Sequence, residues 1–298
     1  TCDWSSDVCF PIYHCKNMMH FLRDTSLEDR ILKDTSLKNT MNQPPTSMSP
    51  TQLAHRLNEL LKINEFQDYC PNGLQVDGGQ PIQHILTGVT ASEALIEQAI
   101  AHNAQAILVH HGYFWKGEPA PLIGMKGKRI RLLMQHGISL LAYHLPLDAH
   151  PQLGNNAQLA LALGWSDLSP LYPDEKHPIG NIVDLAAPLS IAALTNKLST
   201  TLSRPPLHLS GGNQTISRIG LCTGGAQDMI EQAAQMGCQA YISGEVSERT
   251  THIARELGIE YFACGHHATE RGGVLALGNY VKENLALTVD FVDIDNPV

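Results

Sequence analysis

The feature that most constrains this chain is a regular alternation of short aliphatic runs with longer amphipathic segments. The aliphatic runs predict strands at residues 83–89, 105–109, 138–143, 216–222, 238–243, 259–263 and 286–292. Such alternation indicates βαβ units and a largely parallel sheet. Apolar residues make up 43% of the chain, which is enough to bury a substantial core. We therefore expect an α/β fold with mainly parallel mixed sheets flanked by helices.

The second run of this alternation resembles the first. The segment IEQA occurs at residues 96–99 and again at residues 230–233, an offset of 134 residues. The same offset places His111 opposite Glu245. We interpret the match as an internal duplication that gives two similar α/β domains.

The chain divides into four predicted segments. These are a head (1–47), a first α/β half (48–165), a linker region with one strand (166–190) and a second α/β half (191–298). In an alternative arrangement, the last helix and strand pack back against the first half. The head lacks helical or strand periodicity, and its DWSSDVC stretch resembles a translated sequencing adapter. We interpret it as artefactual, with Met48 as the start, or else as a disordered extension. Ser49 and Pro50 then begin a helix as N-cap and first helical residue, and a turn-rich loop follows at 68–79.

Charge and cysteine usage limit the classes of partner. The formal net charge of −9 argues against extended nucleic-acid binding. No apolar stretch is long enough to cross a bilayer, and no signal-peptide pattern opens the chain. The seven cysteines form no CxxC pair, which is typical of reduced thiols. We expect a cytoplasmic protein with no membrane partner.

Two adjacent histidines, His110 and His111, follow the aliphatic run 106–109. Neighbouring strand residues point to opposite faces, so the pair is not expected to face one target. If the strand ends at Val109, however, the two imidazoles leave it in different directions. The aromatic residues 113–115 that follow either stack on a planar ligand or fill a core or interface.

Two further segments carry a histidine and a carboxylate four residues apart. They are His144 and Asp148 in YHLPLDAH, and His266 and Glu270 in GHHATERGG. If a helix begins at His266, this spacing puts His266 and Glu270 on one face, whereas Pro146 argues for a turn rather than a continuous helix after His144. The alternatives are a helix cap for Asp148 and a polar helix start at 266–270. Under the duplication both pairs lie just past a related strand, a coincidence that caps alone do not explain.

Ligands in α/β proteins collect outside the carboxyl ends of the strands. Three histidine-bearing segments follow predicted strands here, so we predict that they form a metal site. At least three histidines and two carboxylates exceed the four ligands of a structural zinc ion and fit two metals roughly 3.5–4 Å apart. The glycine-rich stretch CTGGAQ (222–227) lacks the GxGxxG and P-loop patterns, which favours a tight turn over a phosphate cradle.

Seven motifs together resemble one family. They are PNGLQVDG, TGVTAS, VHHGYFWKGE, HLPLDAHPQLGNNAQLA, TGGAQ, SGEVSE and GHHATERGG. They resemble the YbgI-like proteins, the bacterial branch of the GTP cyclohydrolase I type 2 homologues, also called the Nif-three-like family. The resemblance runs from Met48 to Val298. It implies two similar α/β domains and a homohexameric ring with dinuclear metal sites that face its interior.

The resemblance also assigns residues. It implies that the metal ligands are His110, His111, Asp148, His266 and Glu270. His144 lies near them without being a ligand and is our candidate to shuttle a proton. Glu245 is expected to support the site without binding metal. We further expect His110 and His111 to bind different ions.

These assignments predict a hydrolase that uses two divalent metal ions. The substrate is expected to be a small nucleotide-like or pterin-like molecule, attacked by metal-activated water. Mixed nitrogen and oxygen ligands are compatible with zinc, iron, manganese or nickel. The alternative is a non-catalytic ring that binds metal or serves as a scaffold, because stored and catalytic metals use similar ligands.

Overall fold

Two mixed sheets organise the structure, a computed structural model that describes residues 47–298. The strands are β1 (Gly73–Val76), β2 (His84–Thr90), β3 (Ala106–His111), β4 (Ser139–Ala142), β5 (Ser169–Pro170), β6 (Asn181–Ser190), β7 (Leu207–Leu209), β8 (Thr215–Cys222), β9 (Ala240–Ser243), β10 (Glu260–Ala263) and β11 (Thr288–Phe291). The predicted head lies outside the described residues apart from Ser47.

Helices connect these strands and cover both sheets. They are α1 (Pro50–Leu61), α2 (Glu93–Ala101), α3 (Gly124–Gln135), α4 (Leu145–Asp148), α5 (Asn155–Ala162), α6 (Ile191–Leu202), α7 (Ile230–Gln235), α8 (Glu248–Leu257) and α9 (His266–Leu285). Ser49 caps α1 as predicted, because its hydroxyl accepts a hydrogen bond from the backbone of Gln52. Within the described residues, no helix combines the length and apolar character that spanning a membrane requires.

The first sheet has the order β1-β4-β3-β2-β11, and only β1 is antiparallel to its neighbour. Both faces of its central strands are buried. Leu108 packs with residues of α1 and α9, whereas Ile107 packs with residues of α2 and α3. Burial on both faces explains why this strand is a continuous aliphatic run.

The second sheet has the order β5-β6-β8-β9-β10-β7. Strands β8, β9 and β10 are parallel, and the other three pairings are antiparallel. The series β7-β10-β9-β8 thus repeats the order and directions of β1-β4-β3-β2. The predicted α/β fold, with two sheets flanked by helices, is confirmed. The repeated series is what an internal duplication predicts.

Two local expectations differ from the structure. Residues 68–79, predicted as a loop, contain β1, which pairs antiparallel with β4 through Gly73 and Ala142. This short edge strand depends on a partner far along the chain, so turn-forming residues hide it locally. Strand β3 also does not end at Val109 but continues through His111, which lies in register with Thr90.

The predicted segment boundaries also do not coincide with the division of the strands between the two sheets. The linker region 166–190 contains β5 and the ten-residue β6, and both belong to the second sheet. The last strand, β11, lies in the first sheet, where Thr288 pairs with His84. The cause is α9, whose 20 residues span about 30 Å and carry the chain back to β2.

Candidate metal centre

The carboxyl ends of strands from both sheets meet at one cluster of imidazoles and carboxylates. His110 and His111 end β3, and Asp148 ends the single-turn helix α4 after β4. His266 and Glu270 lie in the first turns of α9, directly after β10. All five ligands expected from the resemblance therefore lie together, and we call them the candidate metal centre.

Glu270 lies in the middle of this centre. Its Oε1 is 3.6 Å from His110 Nε2, and its Oε2 is 3.2 Å from His111 Nε2 and 3.1 Å from His266 Nε2. Asp148 Oδ1 lies 3.5 Å from His110 Nε2. Two sets of three ligand atoms share Glu270, and within each set the atoms lie within 4.8 Å of one another. One set adds His110 and Asp148, and the other adds His111 and His266.

The far nitrogen of each imidazole in the centre lies against an oxygen atom of the protein. The Nδ1 contacts are His110 to Tyr143 O (2.8 Å), His111 to Thr90 Oγ1 (3.2 Å) and His266 to Glu245 Oε1 (2.7 Å). Metal-binding histidines are typically oriented in this way by a partner on the second nitrogen. The arrangement leaves Nε2 of each ring for the carboxylates. Glu245, predicted to support the site, makes one of these contacts.

Two polar atoms at the middle of the centre are orphaned. His110 Nε2 and Glu270 Oε2 are buried, and neither has a hydrogen-bond partner in the described part of the chain. A buried polar atom without a partner is rare and costs about 1–3 kcal/mol. A cation between these atoms would satisfy both, so the donor set fits a metal ion.

The electrostatics point the same way. Burial disfavours charge on His110, but Asp148 and Glu270 outweigh it and raise its pKa to about 9. Burial and the charge of His110 lower the pKa of His111 to about 3. Burial, helped by Glu270, raises the pKa of Asp148, whereas for Glu270 the charge of His110 overcomes burial and holds the pKa well below its usual range. Burial also disfavours charge on His266, but Glu270 and Glu245 outweigh it and raise its pKa to about 9. Two imidazoles thus hold positive charge against the buried carboxylates, the place that a divalent cation would take.

Asn155 connects the two parts of the chain that supply the carboxylates. Its Nδ2 donates to Asp148 Oδ1 (2.8 Å), and its Oδ1 accepts from the backbone N–H of Gly273 in α9 (2.9 Å). A side chain at Gly273 would overlap Asn155 Oδ1, so the glycine allows this close approach. Asn155 therefore holds Asp148 against the helix that carries Glu270.

The TGGAQ segment forms a tight turn beside Glu270. Gly224 has a φ of +67°, and a Cβ on it would overlap Glu270 Oε1. Its backbone N–H donates to Thr269 Oγ1 (3.1 Å), and its carbonyl accepts from Gly244 N (3.0 Å). The glycine-rich turn thus leaves room for a carboxylate of the centre.

His144 borders the centre on the side of the first sheet. Its Nδ1 donates to Asp68 Oδ1 (2.7 Å), and Asn72 Nδ2 donates to the other oxygen of Asp68 (2.8 Å). A ring nitrogen of His144 lies within 4.8 Å of ligand atoms of His110 and His111. Burial acts to raise the pKa of Asp68, but the hydrogen bonds from His144 and Asn72 outweigh it and lower that pKa.

The aromatic residues after the histidine pair separate in the structure. Tyr113 is buried and donates to the carbonyl of Ala91 (2.7 Å), whereas Phe114 is exposed. The indole of Trp115 meets the ring of His144 edge-on at 4.9 Å between centroids. Only Trp115 of these three has a ring contact with a histidine of the site among the described residues.

Several residues that shape the centre were not expected from the sequence. They are Thr90, Asp68, Tyr143, Asn155 and Gly224. Each acts through a contact distant in sequence or through its backbone. In the TGGAQ motif, only the glycines indicate that another group approaches the backbone closely, and they do not show which group it is.

The comparisons with known proteins agree with the motifs. A sequence model of Duf34/NIF3 (NGG1p interacting factor 3) matches residues 48–297. The chain belongs to this family. It is 53% identical over 255 residues to the GTP cyclohydrolase 1 type 2 homolog of Vibrio cholerae serotype O1, a match that covers 84% of this chain and 100% of that protein. A Yersinia pestis protein of the same name is 51% identical over 251 residues, with the same coverage of both chains.

Two solved structures share the fold. The protein ybgI, described as of unknown function, superimposes with a TM-score of 0.79 at 45% identity, covering 84% of this chain and 100% of that one. TTHA1606 from Thermus thermophilus has a TM-score of 0.77 at 30% identity, again covering 84% and 100%. The family resemblance expected from the sequence is confirmed.

Proposed function

We propose that this Duf34/NIF3 protein is a hydrolase that requires two divalent metal ions and acts on a small nucleotide-like or pterin-like molecule. The observation that carries the proposal is the sharing of Glu270 by two sets of ligand atoms. One carboxylate between two histidine-containing sets is the arrangement expected where two ions lie side by side.

Each proposed ion has its own donors in this chain. His110 and Asp148 would hold one ion, His111 and His266 the other, and Glu270 would contact both. The adjacent histidines of β3 therefore serve different ions. Imidazole nitrogens and carboxylate oxygens suit zinc, iron, manganese or nickel.

The ions, when bound, lower the pKa of a coordinated water toward neutrality and polarise an electrophile. His144 is the proposed residue for proton transfer beside them. Asp68 accepts the Nδ1 hydrogen of this imidazole, which leaves Nε2 as the nitrogen free to hold a proton. Trp115 packs edge-on against the same ring. Such an oriented histidine is a common general acid or base.

The proposed substrate class follows from relatives. Proteins about half identical to this chain carry the name GTP cyclohydrolase 1 type 2 homolog. That name and the metal centre together favour a nucleotide-like or pterin-like substrate. The family resemblance further supports a homohexameric ring and a division into two α/β domains, and the cysteine usage supports the cytoplasm as its location. A native mass of six chains would test the ring.

Metal content tests the proposal first. Purified wild-type protein should contain two equivalents of a divalent metal, and Asp148→Ala and Glu270→Ala should each lose metal. Glu231→Ala is the matched control, because Glu231 is an exposed carboxylate on α7. Protein that binds no divalent metal, or ligand variants with unchanged metal content, would refute the metal centre.

A hydrolysis screen tests the chemistry. Metal-loaded wild type and His111→Ala should be compared on nucleotides and cyclic pterin-like or purine-like substrates. Turnover by wild type alone is the expected result. Metal binding without turnover of any substrate would instead support a non-catalytic metal-binding or scaffolding protein.

A further inference from the structure

Among the residues that the structure describes, the half-buried cation Arg204 has no ion-pair or hydrogen-bond partner. Its guanidinium makes no ion pair or side-chain hydrogen bond with any residue in the range 47–298. The chain has 29 acidic residues against 20 basic ones, so carboxylates for pairing are abundant. Arginines that lose part of their hydration are normally paired. The guanidinium is therefore available to an anionic group other than the described residues.

The position of Arg204 is built into the backbone. Its guanidinium packs on Gly265, the residue directly before the candidate ligand His266, and a Cβ on Gly265 would overlap Nη1 of Arg204. Gly265 also has a φ of +97°, which favours glycine. The chain therefore leaves room for a guanidinium against the residue that precedes a candidate ligand of the metal centre.

The repeated strand series relates the position of Arg204 to a position in the first sheet. Gly265 lies two residues past β10, as His144 lies two residues past β4. In the first sheet, Asp68 from the segment before the edge strand β1 contacts His144. In the second sheet, Arg204 from the segment before the edge strand β7 packs on Gly265. A guanidinium thus lies near the counterpart of the proposed proton-transfer residue.

Exposure shows which side of the centre is open. The side chains of His110, Glu270 and Asp148 are 0%, 4% and 9% exposed. Those of His266 and Glu245 are 28% and 38% exposed. A substrate would reach the centre past His266, and Arg204 packs on the residue directly before it.

We propose that Arg204 binds an anionic oxygen group of the substrate, a phosphate or a carboxylate, beside the metal centre. This assignment rests on the proposed function and adds a substrate-binding residue to it. The guanidinium fork matches both groups and binds them with charge-assisted hydrogen bonds. The neighbouring Arg271 is already paired with Asp293 (2.9 Å) and does not compete for the anion.

Anion binding without turnover tests this role. Inorganic phosphate and acetate are titrated calorimetrically into zinc-loaded and metal-free full-length protein. The metal-free arm separates binding by Arg204 from binding by zinc. Arg204→Gln should weaken binding of the preferred anion about tenfold or more in both forms, and Arg204→Lys should weaken it less, because lysine keeps the charge without the fork. Arg255→Gln, at an exposed arginine of α8, should leave binding unchanged.

A second measurement uses only wild-type protein. Phosphate or acetate, whichever binds more tightly, should protect Arg204 from modification by phenylglyoxal, as read by peptide mass spectrometry. The tighter anion identifies the group on the substrate. Equal binding by Arg204→Gln and wild type, no anion binding by metal-free protein, or modification of Arg204 unaffected by the anion would each overturn the assignment. Intact anion binding in a protein that hydrolyses nothing would refute only the proposed hydrolase function.

Discussion

Replacing Gly224 with alanine should move the carboxylate at the middle of the metal centre. The new Cβ would overlap Glu270 Oε1. The backbone of the turn is held in place, because the carbonyl of Gly224 accepts hydrogen bonds from Gly244 N (3.0 Å) and Glu245 N (3.1 Å), and its N–H donates to Thr269 Oγ1. The carboxylate, rather than the backbone, is therefore expected to shift.

Two costs are expected from this substitution. A φ of +67° costs a residue with a side chain about 1–2 kcal/mol, which corresponds to a fall in Tm of about 2–8 °C in a domain of this size. Displacing a ligand that both proposed ions share should also weaken metal binding. Changes to residues that merely orient ligands already cost about 10–100-fold, so at least that loss is expected.

The assay compares Gly224→Ala with Gly237→Ala. Gly237 has a similar φ of +77°, but a Cβ there meets nothing within 4 Å. Thermal unfolding of the metal-free proteins should show a similar fall in Tm for both variants. Zinc titration against a competing chelator should show weakened binding for Gly224→Ala alone. Wild-type zinc affinity in Gly224→Ala would refute the assignment of Glu270 as a shared ligand.

Three further substitutions test residues around the centre. Asn155→Ala removes the donor to Asp148 and leaves the N–H of Gly273 in α9 unpaired. Metal affinity, measured by chelator competition, should therefore fall about tenfold. The free energy of unfolding, measured with denaturant, should fall by about 1–3 kcal/mol. Glu245→Ala frees the far nitrogen of His266 and should weaken metal binding about 10–100-fold; unchanged affinity would mean that this contact does not orient the ligand. Asp68→Asn should reduce turnover while metal content stays at the wild-type value, because the change disturbs only the orientation of the His144 imidazole. Loss of metal would instead assign His144 to the ligands.

The candidate ligands could be predicted because their signals are local. His266 and Glu270 lie four residues apart at the start of a helix, and His110 and His111 follow an aliphatic run. Each segment indicates its own position at a strand end. The convergence of the segments after β3 and β4 follows from these parallel strands, whose carboxyl ends share one edge of the first sheet. The segment after β10 belongs to the second sheet, and only the packing of the two sheets brings it to the same place.

The supporting contacts could not be predicted because they depend on tertiary structure. Asn155 reads locally as an ordinary residue in a helix, and only the packing of α5 on α9 brings it between Asp148 and Gly273. Strand β1 is similarly hidden among turn residues until β4 pairs with it. The sequence leaves the return of the last strand to the first half open as an alternative, but the pairing of β11 with β2 depends on the length of α9.

Strand β3 also changes how the adjacent histidines are understood. The expectation that they diverge because the strand ends at Val109 is wrong, since His111 still pairs in register with Thr90. Their rings nevertheless lie with centroids 4.6 Å apart, tilted by 46° to each other. Both reach Glu270, but through different oxygen atoms of its carboxylate. This division is the basis for assigning the two histidines to different ions.

The most direct test of that division is anomalous diffraction from crystals of zinc-loaded protein. Two zinc peaks per chain are predicted, roughly 3.5–4 Å apart. One should lie among His110, Asp148 and Glu270, and the other among His111, His266 and Glu270. A single peak bound by both His110 and His111 would contradict the account.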